Sequence, residues 1–293
     1  MAKAVEKVRI FLELVKFEHS VFALPYAYIG AVYGAARAAQ GGWPSWPALA
    51  WITVAMVGAR AFAFVVNRAV DREIDARNPR TAGRAVPAGL VEAGELWIFA
   101  AIVLAAYLLA VWRLAPVTHL LWPIPLALFL IYPYLKRFTW ACHFWLGGCL
   151  GLGAVGGWAA VGAPMAHPAP WVLGLAVAVW TAGFDIIYAT QDYDCDVRDG
   201  VHSAPADLGI PRALAITRAT HAAAVALFAA GGWLAGAGWA YYAGVAAAGI
   251  LLVYENAIVR ADDLSCVDAA FFTVNGMVAV VVLAGAVADR LLG

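Results

Sequence analysis

The sequence predicts an all-α membrane protein, a polytopic bundle of about nine spanning helices. Three observations carry this expectation. Of 293 residues, 64% are hydrophobic and only 13% charged, against roughly 45–50% and 25% in a soluble domain. The mean hydropathy is +0.79. Apolar runs close to the ~20 residues that cross a bilayer recur along the whole chain. A formal net charge of zero gives no broad basic face for nucleic acid. The four cysteines, Cys142, Cys149, Cys195 and Cys266, lack metal-type spacing and read as reduced or buried thiols. Length alone gives a prior of about two soluble domains. A helical bundle in the bilayer instead makes residues 1–293 one integral-membrane domain.

The N-terminus is an amphipathic basic stretch with Lys3, Lys7, Arg9 and Lys16, leading straight into the first span. No cleavable signal or transit peptide is expected. The spans are expected at 18–36, 48–68, 95–112, 118–135, 142–162, 169–190, 212–234, 238–257 and 267–288. Arg113, Pro116, Pro123 and Pro125 crowd the connection between the third and fourth. In the fifth, the pairs Gly147/Gly151 and Gly153/Gly157 have the spacing that lets helices approach closely, and packing is the favoured role for its glycines. Trp43, Trp46, Trp97, Trp112, Trp122, Trp171 and Trp239 fall near span ends, where interfacial anchoring accounts for them.

The positive-inside rule orients these spans. With the N-terminus in the cytoplasm, 15 of the 19 Lys and Arg fall on the cytoplasmic side. Only Arg37, Arg113 and Arg290 fall outside, and Arg60 sits within a span. The C-terminus is then outside, and a prokaryotic inner (plasma) membrane is the expected home. The long polar loops, 69–94 and 191–211, are cytoplasmic. Long loops on one face of a rigid scaffold usually carry function.

Each of these loops begins with carboxylates at helical spacing. The first set is Asn67, Asp71 and Asp75, with Arg68 and Arg72 beside it. The second is Asp185, Tyr188, Asp192 and Asp196. Steps of three or four residues put each set along one helix face. Ionised carboxylates at a membrane boundary are costly and mark function by default. Facing clusters of them suit a hard cation such as Mg²⁺, and neighbouring guanidinium groups suit phosphate oxygens. The bland alternatives are a solvated helix end and an acidic surface loop. Two sets on one membrane side favour the functional reading. Asp192 and Asp196 are the better metal ligands of the second set, while Asp194 and Asp199 point elsewhere and read as solvated.

Tyr132 and Lys136-Arg137 end the fourth span on the same side. Alone they read as ordinary anchors; beside two acidic sets they are candidates to receive a diphosphate, as are Arg80 and Arg84. The six histidines show no zinc spacing, and His19 and His202 are candidate substrate contacts. No phosphate-binding glycine loop, nucleotide fingerprint or serine elbow is present.

These three elements, in this order, resemble the UbiA family of intramembrane prenyltransferases. Asn67/Asp71/Asp75 looks like the family's first aspartate motif, Asp185/Tyr188/Asp192/Asp196 like its second, and Tyr132 with Lys136 like its Tyr-x-x-x-Lys element. The run from Asn78 to Gly89 resembles the 4-hydroxybenzoate polyprenyltransferase branch. Tyr188 to Asp194, followed by His202-Ser203, looks like a sub-branch tied to menaquinone, with a naphthoate-type acceptor. Arg68 stands where many relatives carry aspartate, which leaves one carboxylate fewer.

The resemblance implies transfer of a polyprenyl group from polyprenyl diphosphate to an aromatic acid. Asp71, Asp75, Asp192 and Asp196 would hold about two Mg²⁺ ions. Lys136, with Arg72 or Arg137, would offset leaving-group charge. Tyr188 would face the allylic cation, with Asn67, Tyr132 and Asp185 as further substrate contacts. The isoprenoid tail would run into the lipid bilayer. The rival class is an ion-coupled transporter, which more often places its carboxylates at the bilayer midplane.

Overall fold

The computed structural model describes residues 2–15, 22–39 and 42–293, so Lys16 and His19 lie outside the described residues. Helix α1 (Ala2–Leu14) precedes the bundle. Its end buries Leu14 and Val15 against Val65, Val86 and Leu96, and Lys7 pairs with Glu95 at 2.7 Å. Helix α2 (Leu24–Ala35) starts on Pro25 and is buried along nearly its whole length. Helix α3 (Trp46–Val70) is capped by Ser45 Oγ, which accepts from the Ala48 amide. It hands over at Asp71 to α4 (Arg72–Arg77). Asp71 N–H donates to Asn67 O and Asp75 N–H to Asp71 O, so helical phase carries through and the first acidic set stays on one face.

After the turns of residues 78–92 comes α5 (Ala93–Arg113), opened by a capping box of Glu92 and Glu95. The expected fourth span is divided. Helix α6 (Thr118–Leu121) gives way at Trp122 to α7 (Pro123–Leu135). Pro123 and Pro125 carry no N–H to continue the α6 ladder, but they suit the first turn of a new helix. Helices α8 (Cys142–Ala160) and α9 (Ala169–Ala189) follow. A 3₁₀ turn over Thr190–Asp192 leads to α10 (Tyr193–Asp199), which ends on Gly200 at φ +68°. Then come α11 (Ala204–Leu208), α12 (Ile210–Ala235) and α13 (Trp239–Ile258). The last span is π-helical over Ala269–Val274 before it continues as α14 (Asn275–Leu292).

Seven of the described helical stretches are long and apolar enough to cross a membrane, and this is a multi-pass all-helical fold with no strand among the described residues. Two of the nine expected spans are not among the seven. The first is described only from Phe22. The fifth forms as α8, but its glycines, His143 and tryptophans dilute its hydropathy.

Helices α2 and α9 flank α8, α12 packs on α9, and α13 on α12 and α14; α14 returns to α2, closing the chain of contacts. On the other side α3 lies against α5 and α7, and α7 meets α8. In lipid, close backbone approach rather than water exclusion must hold helices together. A Cβ on Gly157 would sit 1.8 Å from Ala27 O, one on Gly30 2.0 Å from Ala154 O, and one on Gly147 2.0 Å from Ala178 O. Packing is therefore the role of Gly147, Gly151 and Gly157. Gly148 and Gly156 meet nothing within 4 Å. Trp43, Trp46, Trp97, Trp112, Trp171 and Trp239 are exposed, as anchoring requires.

Candidate active site

A cavity of about 410 Å³ opens among α2, α3 and α5 to α9. Its long apolar part is walled by residues such as Met56, Ala59, Phe129, Leu146 and Leu150. Its other end carries Asn67, Asp71, Asp75, Tyr132, Lys136, Asp185, Tyr188, Asp192 and Asp196. Two helix ends far apart in sequence thus meet on one chamber.

Asp71 is the most buried of the carboxylates that line the chamber, at 1% exposure. Its Oδ2 accepts from Lys136 Nζ at 2.5 Å and from Asn67 Nδ2 at 2.8 Å. Burial pushes its pKa above the ordinary aspartate value, against the opposing pull of Lys136. Its Oδ1 is buried with no hydrogen-bond partner. Asp75 lies between two guanidinium groups, Arg84 Nη1 at 2.8 Å and Arg68 Nη1 at 3.4 Å. Thr81 Oγ1 donates to Asp75 O and ties the following loop to the helix.

The second set is held from elsewhere. Arg80 grips Asp192 with Nε and Nη2, and Asn78 Nδ2 donates to the same carboxylate at 2.6 Å. Arg80 Nη1 also donates to Tyr188 Oη at 2.8 Å, with its guanidinium carbon 4.9 Å over the Tyr188 ring. Asp196 Oδ2 accepts from Ser203 Oγ at 2.8 Å. Asp185 Oδ2 lies 2.7 Å from His143 Nδ1. His143 Nε2 accepts the Ala204 amide at 3.1 Å, so Nδ1 carries the proton and donates to Asp185.

Tyr132 and Lys136 both line the cavity, whereas two predicted site residues do not. Arg72 is exposed, because one residue past Asp71 it lies about 100° round the helix from the acidic face, on the solvent side of α4. Arg137 is also exposed, donating to Val70 O at 3.0 Å, and so caps the end of α3. Arg68, read from sequence as a guanidinium beside the first set, does line the cavity, whereas Asn78, His143 and Ser203 belong to the site but were not assigned to it from sequence. Of these, His143 left the clearest signal, an imidazole at the start of an apolar glycine-rich run. Asp194 is exposed as expected, and Asp199 pairs with Arg198 at 3.0 Å. All four cysteines are free.

A chamber with carboxylates and cations at one end and an apolar tail slot at the other fits a ligand with a charged head and a hydrocarbon chain. A sequence model described as the UbiA prenyltransferase family matches residues 27–277. The chain belongs to the UbiA prenyltransferase family. It is accordingly a prenyltransferase. The 4-hydroxybenzoate octaprenyltransferase of Salmonella paratyphi B is 34% identical over 237 residues, 79% of this chain and 80% of that protein. Its namesake in Citrobacter koseri is 32% identical over 229 residues, 77% of this chain and 78% of that protein. Among solved structures, the apo UbiA homologue of Aeropyrum pernix K1 superposes with a TM-score of 0.82 at 34% identity, covering 93% of this chain and 98% of that one. The Archaeoglobus fulgidus UbiA homologue bound to GPP and Mg²⁺ shares the fold, with a TM-score of 0.74 at 19% identity and coverage of 96% and 99%.

The UbiA relationship raises the question of whether these residues fit Mg²⁺. The donors are of the right kind, since Mg²⁺ takes carboxylate oxygens and shares phosphate oxygens with them. The unpartnered Oδ1 of buried Asp71 is an oxygen with a lone pair to give. Among the described residues no three Asp, Glu, His or Cys side chains converge on one metal position, because each carboxylate is turned toward a cation or hydroxyl. The chemistry fits, with side-chain rotations needed to close it.

Proposed function

We propose that the chain, acting over 1–293 as one integral-membrane domain, transfers a polyprenyl group from polyprenyl diphosphate to an aromatic acid of the 4-hydroxybenzoate or hydroxynaphthoate type, in ubiquinone or menaquinone synthesis. The observation that carries this reading is the shape of the chamber: paired acidic and basic side chains at its end, apolar wall along its length. The site faces the cytoplasm of a prokaryotic inner membrane, following the positive-inside bias.

Asp71, Asp75, Asp192 and Asp196 would hold Mg²⁺, which when bound neutralises diphosphate and makes it a better leaving group. Lys136, Arg80 and Arg84 meet the phosphate oxygens. The C–O bond to diphosphate breaks and the leaving group departs with the electron pair. An electron-rich ring carbon of the acceptor attacks the resulting allylic cation and then loses its proton to a site carboxylate. The ring of Tyr188 faces the cation, and the apolar wall keeps out the water that would otherwise capture it. Asp185, oriented by His143, and Tyr132 lie where the acceptor's polar groups would sit. Asn67 holds Asp71 in place.

The test incubates membranes carrying the protein with a polyprenyl diphosphate, Mg²⁺ and each acid in turn, and reads the prenylated product by mass spectrometry. Product formation with one acid, lost with EDTA and in Asp71→Ala, is the expected result. Folded protein that makes no product with either acid, yet moves ions across vesicles, would overturn the reading in favour of a transporter.

A further inference from the structure

The π-helical turn Ala269–Val274 is part of the cavity wall through Phe271, yet nothing in the transfer chemistry explains why the span should begin with a wide turn. Such turns occur mostly as local features at functional positions, and each needs something to satisfy the widened ladder. Here Asn275 does so. Its backbone N–H closes the wide turn on Ala270 O, and its Nδ2 adds a second donor to the same carbonyl at 3.0 Å. Nδ2 also donates to Glu255 Oε1 on α13 at 2.7 Å. Asn275 Oδ1 accepts from Trp180 Nε1 on α9 at 2.8 Å. Asn275, Glu255 and Trp180 are all at 0% exposure. None of the three lines the cavity.

The turn places Phe271 flat against Tyr188, with ring centroids 4.1 Å apart at 27°. Phe184 and Phe22 meet Phe271 edge-on at 5.4 and 5.5 Å. Arg80 lies over the Tyr188 ring at 4.9 Å, so the face left by the stacked Phe271 opens to the cation only as Arg80 turns to the diphosphate. An α-helical start to this span would rotate every residue before Asn275 by about 100° relative to α14. Phe271 would then leave Tyr188.

We infer that Asn275, held by Glu255 and Trp180, is a positioning residue for prenyl transfer: it fixes the π turn that backs Tyr188 with Phe271 and so sets the aromatic face offered to the allylic cation. This rests on the transfer reading above. A purely structural network would, when weakened, lower all turnover together. A positioning network changes where the cation goes. With Tyr188 unsupported, water adds to the cation through its oxygen, sheds a proton to solvent, and prenyl alcohol forms in place of prenylated acceptor.

The experiment uses full-length protein in lipid vesicles with geranyl diphosphate, Mg²⁺ and 4-hydroxybenzoate, and measures the ratio of geraniol to prenylated acid. Misplacing a positioned group by about an ångström costs up to about 10²-fold, so Asn275→Leu and Glu255→Leu should raise the ratio about tenfold. Glu255→Gln keeps an acceptor oxygen for Asn275 and should stay close to the unmodified protein. An unchanged ratio in folded Asn275→Leu overturns the inference, as does Glu255→Gln behaving like Glu255→Leu. Should Asn275→Leu fail to fold, Trp180→Phe, which removes the indole N–H, decides by the same ratio. Absence of prenylated acid from the unmodified protein with both 4-hydroxybenzoate and a hydroxynaphthoate would instead refute the transfer reading itself.

Discussion

The two acidic sets face the same chamber but are built differently. The first is closed: Asp71 and Asp75 are 1% and 5% exposed, and Arg68 and Arg84, two of the cations that hold them, lie within nine residues of Asp75 in sequence. The second is open: Asp185, Asp192 and Asp196 are half-buried. Their partners, His143, Asn78, Arg80 and Ser203, come from other helices or loops. A buried pair is expensive to break because it strands a charge, whereas a partly exposed pair is screened and worth little to the fold. The first set is thus part of the scaffold as well as the site, and the second is closer to pure chemistry.

That contrast is most directly broken by Asp71→Ala. It should abolish transfer and also destabilise the protein by about 2–4 kcal/mol, since Lys136 is left without its carboxylate. Thermal unfolding in detergent reads the second effect, and a variant as stable as the parent would erase the distinction between the sets. Asp192→Ala comes next. Transfer should again be lost, but stability should move by less than about 1 kcal/mol, because Arg80 can turn to water. Equal destabilisation by the two substitutions would count against an open second set.

A smaller effect is expected from Arg80→Lys. An ammonium cannot reproduce the guanidinium's grip on Asp192 together with its bond to Tyr188. The apparent KM for prenyl diphosphate should rise about tenfold with unfolding unchanged. An unaltered KM would remove Arg80 from the diphosphate site. Smallest is Tyr188→Phe, which loses the bond from Arg80 but keeps the ring. About a two- to fivefold fall in kcat is expected, within the net worth of one hydrogen bond. A much larger loss would mean that the hydroxyl, rather than the ring face, does the work.

Much of this was legible in the sequence because it is local. Asn67, Asp71 and Asp75 share a face by helical phase alone, and the Asp71 handover leaves that phase intact. Tyr132 and Lys136 follow the same rule on α7. Seven of the nine expected span positions were legible for the same reason, since apolar runs and prolines act over short range. The partners of the second set were not, because nothing in a periodicity links His143 to Asp185 or Arg80 to Asp192, 112 residues on. Arg72 and Arg137 were misplaced by the same gap. Helical spacing says which side chains are neighbours, but not which of them a third helix leaves outside. The π turn was illegible too, since it depends on buried Asn275 finding Glu255 and Trp180.

The separation of Arg80 from Asp192 bears on how the protein is made. Chains emerge from the N-terminus, and elements fold as they become available. The Asp75–Arg84 pair closes within nine residues. Lys136 reaches Asp71 only after 65 residues, once α5 to α7 are laid down. Arg80 must wait for the whole of α8 and α9 before Asp192 exists. A nascent chain that stalls after α7 therefore carries a sealed first half-site and a loop arginine with its carboxylate partner still unsynthesised.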